Sequence, residues 1–100
     1  MAQVIKVIGG APLKSGVYTF SGTSAVKLTA MGVELPTSPS AFTKVTLIAE
    51  RGSFKLHFGS AGDGATFPEG SIIELDQYAQ VQQAYLTSAA TNKVAIYSEV

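Results

Sequence analysis

Polar and apolar side chains alternate along much of this chain with a period of two, the period of half-buried strands rather than of helices. Thr43-Lys44-Val45-Thr46-Leu47-Ile48-Ala49-Glu50 sets Val45, Leu47 and Ala49 on one face and Lys44, Thr46 and Glu50 on the other. After Arg51-Gly52, the run Ser53-Phe54-Lys55-Leu56-His57-Phe58 sets Phe54, Leu56 and Phe58 on one face. Folding the two runs about Arg51-Gly52 as a hairpin pairs Ala49 with Phe54, Leu47 with Leu56 and Val45 with Phe58. Thr46 then meets His57 on the solvent side, and a one-residue slip destroys the match. Gly52 supplies the positive φ that such a turn requires.

Shorter runs repeat the pattern. Gln3 to Ile8 and Gly16 to Phe20 read as strands separated by the breaker Gly9-Gly10-Ala11-Pro12. Ala25 to Met31 alternates with Val26, Leu28 and Ala30 inward. Leu35 to Ser40 holds two prolines and reads as a loop. Gly59 to Gly70 reads as a glycine-rich loop ending in the turn Phe67-Pro68-Glu69-Gly70, which enters a strand from Ser71 to Leu75. Between Asp76 and Leu86 the pattern predicts one helical turn, with Asp76 as its cap, and then a strand. Lys93 to Ser98 closes the chain as a strand with Val94 and Ile96 inward. Many short strands with frequent turn signals predict a single all-β domain over residues 1–100, a small antiparallel β-sandwich or barrel with at most one short helical turn.

Composition narrows the function. Charged residues make up 14% of the 100 residues, and seven basic residues cancel seven acidic ones. Typical proteins carry about 25%. A neutral, charge-poor surface lacks the basic face that nucleic acid requires and suits a surface covered by other protein. Without cysteine there are no disulfides and no thiolate metal sites. The first residues lack an apolar signal-peptide core, and no apolar run approaches the ~20 residues of a membrane span, so the expectation is a soluble product made inside the cell.

Candidate chemistry is sparse. His57, the single histidine, falls on the expected solvent face without a nucleophile or orienting carboxylate fixed beside it. Gly59-Ser60-Ala61-Gly62-Asp63-Gly64 lacks the following Lys-Ser/Thr and helix of a phosphate-binding loop, and Asp63 lacks the dense acidic spacing of a calcium loop. Glu74 and Asp76 share a strand face by period and read as solvated acids rather than a catalytic pair. Arg51 and Lys55 are two cations, not a patch. Tyr78, Tyr85 and Tyr97 are the candidate surface aromatics, best suited to protein contact. The reading is a binding protein and not an enzyme, with no cofactor, no metal and no catalytic residue, and with its binding residues unassigned.

From about Val45 to Tyr97 the chain resembles a layout common among small tailed-phage virion proteins. It runs strand, turn and strand from Val45-Thr46-Leu47 to Phe58-Gly59, and then Phe67-Pro68-Glu69-Gly70-Ser71-Ile72-Ile73-Glu74-Leu75. Ala84-Tyr85-Leu86-Thr87-Ser88 and Val94-Ala95-Ile96-Tyr97 complete it. The resemblance implies a capsid decoration (cement) protein found in the virion and made in the host cytoplasm. Its expected partners are the major capsid protein and further copies of itself, a trimer first, with no nucleic acid and no membrane. Gln3 to Ile8 is expected to add to a neighbouring chain's sheet edge. A head-to-tail connector or tail component is the alternative within this class, and a small glycan-binding module the alternative outside it.

Overall fold

A computed structural model describes residues 13–39, 44–59 and 64–99. These residues form eight strands: β1 (Leu13–Thr19), β2 (Val26–Lys27), β3 (Lys44–Arg51), β4 (Phe54–Phe58), β5 (Ala65–Phe67), β6 (Ile72–Leu75), β7 (Ala84–Thr87) and β8 (Lys93–Glu99). A 3-10 turn, Leu28–Ala30, follows β2, and a six-residue helix, α1 (Tyr78–Gln83), precedes β7. The expected strand at Gln3 to Ile8 and its breaker lie outside the described residues.

The strands make two four-stranded sheets, β1-β8-β3-β6 and β2-β7-β4-β5, with every pairing antiparallel. The pairs β4–β5, β3–β6, β2–β7 and β1–β8 are nested one inside the next. The chain is therefore one long folded-over ribbon wrapped across two layers, which is the strand order of a jelly roll. The expected all-β sandwich is the fold observed.

The inward residues follow the two-residue period. Val45, Leu47, Ala49, Leu75, Val94 and Ile96 come from the first sheet, and Phe54, Leu56, Ala84 and Leu86 from the second. Phe20, Leu28, Met31 and the helix residue Val81 fill the space between them, each 6% exposed or less. Tyr18 packs on this core and meets Phe20 edge to face at 5.1 Å. Ser98 points inward as well, and its buried hydroxyl has no hydrogen-bond partner.

The hairpin expected about Arg51-Gly52 is not formed. β3 bonds to β6 and β8, while β4 bonds to β5 and β7, so the chain crosses from one sheet to the other at Gly52 (φ 76°). Periodicity identifies which residues face the core, and a facing residue can be met across the sandwich as well as along the sheet. Here Val45, Leu47 and Ala49 lie in the layer opposite Phe54 and Leu56. The Gly52 N–H donates to Glu69 Oε1 at 2.8 Å, Ser88 Oγ donates to the Ser53 carbonyl at 2.6 Å, and Asn92 Nδ2 donates to Ser88 Oγ at 3.0 Å. This network joins three interstrand connections at one corner.

Further expectations fail for local reasons. Phe58, expected inward, lies at the end of β4 beyond the packed core and is 46% exposed, whereas His57, expected in solvent opposite Thr46, is buried. The segment Ala25 to Met31 is a two-residue strand and a 3-10 turn. The turn's three-residue period buries Leu28 and Met31 and leaves Ala30 outside. Part of the expected Gly59–Gly70 loop is β5, and the Pro68-Glu69-Gly70 turn after it is as read, with Gly70 at φ 91°. The helix cap position is Gln77, not Asp76, and its side chain makes no capping bond.

Candidate functional site: an apolar sheet face

One face of the β1-β8-β3-β6 sheet packs on the core, so the ordinary expectation for its other face is polar alternation. Register places the outward residues in rows across the four strands. One row reads Val17 (β1), Ala95 (β8), Ile48 (β3) and Ile72 (β6). Every position in it is apolar. Three strand spacings of ~4.8 Å make the row ~14 Å wide. Val17 and Ile72 are 53% and 48% exposed, two of the three large hydrophobic side chains most open to solvent among the described residues. Ala95 is buried yet is not part of the core cluster. Register places it on the outer face, between Val17 and Ile48 of the neighbouring strands.

The next row reads Ser15, Tyr97, Thr46 and Glu74. Tyr97 thus stands near the middle of the face beside the apolar row. Lys44 Nζ lies 3.0 Å from Glu74 Oε2 at the rim, with the Glu74 side chain half exposed. With the carboxylate half in water, though the Lys44 side chain is only 18% exposed, the pair contributes about 1 kcal/mol to stability. Its effect on the face is to neutralise a carboxylate at the border of the apolar row.

The other sheet presents a different exterior. Lys27, Tyr85 and His57 form one row, and Thr87, Lys55 and Thr66 another. The His57 ring stacks on Tyr85 with centroids 5.8 Å apart and planes 16° apart. His57 Nδ1 lies 3.0 Å from the Gly59 carbonyl, and Nε2 lies 3.3 Å from Thr87 Oγ1. A carbonyl only accepts, so Nδ1 carries a proton and donates to it, while Nε2 lies within hydrogen-bond reach of the Thr87 hydroxyl. Both ring nitrogens are engaged in holding β4, the Gly59 that follows it and β7 together, which gives the histidine a structural role.

The remaining sequence candidates do not converge. Glu74 is tied to Lys44, Asp76 is exposed past the end of β6, and Arg51 is exposed at the corner. Lys55 sits on the sheet opposite to Glu74. Tyr78 donates its hydroxyl to the Thr37 carbonyl at 2.8 Å, fastening α1 to the 35–39 loop. Asp63 lies outside the described residues. Among the described residues no three His, Cys, Asp or Glu side chains gather as a metal site would require, and no helix is long and apolar enough to cross a membrane.

The apolar row carried a signal that strand-by-strand alternation passes over. Each of its four positions sits in a run of consecutive apolar residues: Val17-Tyr18, Leu47-Ile48, Ile72-Ile73 and Val94-Ala95-Ile96. Consecutive apolar residues in a strand place apolar side chains on both of its faces. Fold and surface together define the class, a small jelly roll whose distinguishing feature is an uncharged apolar band on an outer sheet face. No protein-family model, curated protein or solved structure matches the chain.

Proposed function

We propose that this protein is a structural component of a tailed-phage virion, a capsid decoration protein that acts by binding other protein chains. The observation that carries the reading is the apolar row Val17–Ala95–Ile48–Ile72 on the outside of a folded sheet. Protein interfaces deplete charge at their centre and admit tyrosine there, as this face does with Tyr97. The layout from Val45 to Tyr97 supplies the virion setting. Jelly rolls also recur among viral capsid proteins, although lectins and cupins share the fold, so that support is analogy between folds. Partners on this reading are the major capsid protein and further copies of the chain, each weak contact multiplied over a repeating lattice.

The test is add-back to purified phage heads that lack the protein. The protein is expected to co-sediment with heads and to saturate at a fixed ratio to the capsid subunit, and Ile72→Glu to lower occupancy at least tenfold. Electron cryo-imaging of labelled protein then shows coverage of the whole head, whereas label at a single vertex supports the connector alternative. Failure to co-sediment, together with binding on a glycan array, overturns the proposal in favour of a glycan-binding module.

A further inference from the structure

We infer that the free edge of β1 is a strand-pairing site for a second copy of this chain. The two β1 strands join antiparallel about a two-fold axis through Val17 and merge their sheets into one. The inference rests on the assembly reading for its setting and names where two copies meet.

Hydrogen bonding fixes which groups β1 has to offer. It stands at the end of its sheet, with β8 on one side. The Phe20 N–H donates to the Asn92 carbonyl at 2.9 Å, and that pair continues the register in which Leu13 faces Glu99 and Thr19 faces Lys93. Antiparallel pairs alternate in their bonding, so Tyr18, Gly16 and Lys14 also turn N–H and C=O towards β8. The far side of the sheet agrees. Ala49 donates to the Ser71 carbonyl at 2.9 Å and accepts from the Gly70 N–H at 2.7 Å. Its bonds run to the β6 side, so Val94 opposite it turns towards β1, where it meets Tyr18. Ser15, Val17 and Thr19 therefore direct their backbone groups out along the edge, and among the described residues nothing bonds to them there. All three residues are exposed.

Length and sequence leave this edge unguarded. The other three sheet edges are β6 with four residues, β5 with three and β2 with two, against seven for β1. Short edge strands, bulges, prolines and charges are the usual protections against edge pairing. β1 holds no proline and keeps one register along its whole length. Its single charge, Lys14, lies 3.6 Å from Glu34. Unpaired edge groups take an extended strand, which sets the chemistry of the partner.

β1 meets its own requirement. An axis through Val17 sets Val17 against the second copy's Val17, and Ser15 against its Thr19. These are the residues whose backbone groups face the edge, so each pair exchanges both of its N–H···O bonds. Outer side chains stay on the outer face in this register. Gly16, which has no side chain, comes beside Tyr18, and no charge meets a like charge across the axis. The apolar row then runs unbroken from Ile72, Ile48, Ala95 and Val17 into the second copy's Val17, Ala95, Ile48 and Ile72. A contact of this kind closes at two copies, in place of the trimer expected from capsid threefold positions.

The chain has no cysteine, so one introduced thiol reports the pairing. Partner Cα atoms about 5.5 Å apart lie within the span of a disulfide. With oxidised glutathione and micromolar protein, Val17→Cys is expected to give a covalent species of twice the 10.4 kDa chain mass. Ser15→Cys and Thr19→Cys are each expected to stay single alone and to cross-link when mixed. Lys55→Cys, exposed on the other sheet, is expected to stay single. Sedimentation equilibrium of the wild-type chain is expected to show the dimer. Val17→Pro deletes an edge N–H without removing a β8 bond, and is expected to weaken that dimer roughly tenfold or more.

A wild-type chain that sediments at the single-chain mass across the micromolar range overturns the inference. So does Val17→Cys that cross-links no faster than Lys55→Cys. Ser15→Cys that cross-links alone, or with Val17→Cys in preference to Thr19→Cys, removes the axis. If Val17→Pro fails to fold in a thermal melt, the cysteine variants decide. The two proposals fail separately: a paired chain that ignores phage heads sinks the virion reading alone, and a single chain that still saturates them sinks the pairing alone.

Discussion

At the scale of single residues, the corner between β7 and β8 holds a strained position. Thr91 has φ 72°, the left-handed region that β-branched side chains rarely adopt. It is held there because its N–H donates to the Phe20 carbonyl at 2.8 Å while the neighbouring Asn92 carbonyl accepts from the Phe20 N–H at 2.9 Å. These two bonds tie the end of β1 to the β7–β8 connection, and they require the backbone to turn at Thr91. The side chain is exposed and adds nothing to packing. Placing a non-glycine residue in this region costs roughly 1–2 kcal/mol. Thr91→Gly is therefore expected to raise stability by about 1 kcal/mol after glycine's own entropic cost, seen as a thermal midpoint about 4–8 °C higher. An unchanged or lower midpoint would show that the strain is absorbed elsewhere. His57 illustrates the opposite case at the same scale. Its outward position suggested solvent, and neighbours three strands further along the chain, Tyr85 and Thr87 on β7, enclose it.

At the scale of elements, the decisive feature is the crossing between β3 and β4. A Cβ on Gly52 would overlap the Asn92 side chain, and the φ of 76° is unfavourable to any other residue. Gly52→Ala is expected to destabilise the fold by 2 kcal/mol or more, roughly the backbone term plus the displacement of Asn92 from Ser88. Combining it with Asn92→Ala is expected to leave the backbone part of the loss, and a double-mutant cycle in urea separates the two. The need for glycine here was legible in the sequence, as were the inward faces of Val45, Leu47, Ala49, Phe54 and Leu56. What could not be read was the partner of each strand. A two-residue connection permits a return within one sheet or a step to the other, and the choice is made by β6 and β8, which lie 20 or more residues away. The same non-locality hid the apolar row, because Val17, Ala95, Ile48 and Ile72 become neighbours only when four separate strands are set in register.

At the scale of the whole molecule, the nesting of strand pairs sets the order in which the fold can close. Phe54 and Phe67 pair across 13 residues, Val45 and Leu75 across 30, Val26 and Leu86 across 60, and Leu13 and Glu99 across 86. The cost of closing a loop rises with its length, so the β4–β5 pair is the least expensive to form from the unfolded chain. Once it exists, β3 and β6 are separated only by what remains unpaired between them, and each later pair inherits a shortened loop. Such non-local pairing predicts folding in milliseconds to seconds, as in other all-β domains. It also predicts an uneven transition state. Phe67→Ala, which removes the Phe54–Phe67 contact at 6.0 Å, is expected to slow folding, with a φ-value above 0.5. Tyr18→Ala, which removes the contact with Phe20 on the last pair to close, is expected to speed unfolding and leave the folding rate almost unchanged, with a φ-value below 0.3. Chevron plots of the two variants decide the matter. The reverse ranking would mean that the outer β1–β8 pair forms before the inner ones, and that closure entropy is outweighed by the apolar area which β8, bonded to both β1 and β3, buries at the centre of its sheet.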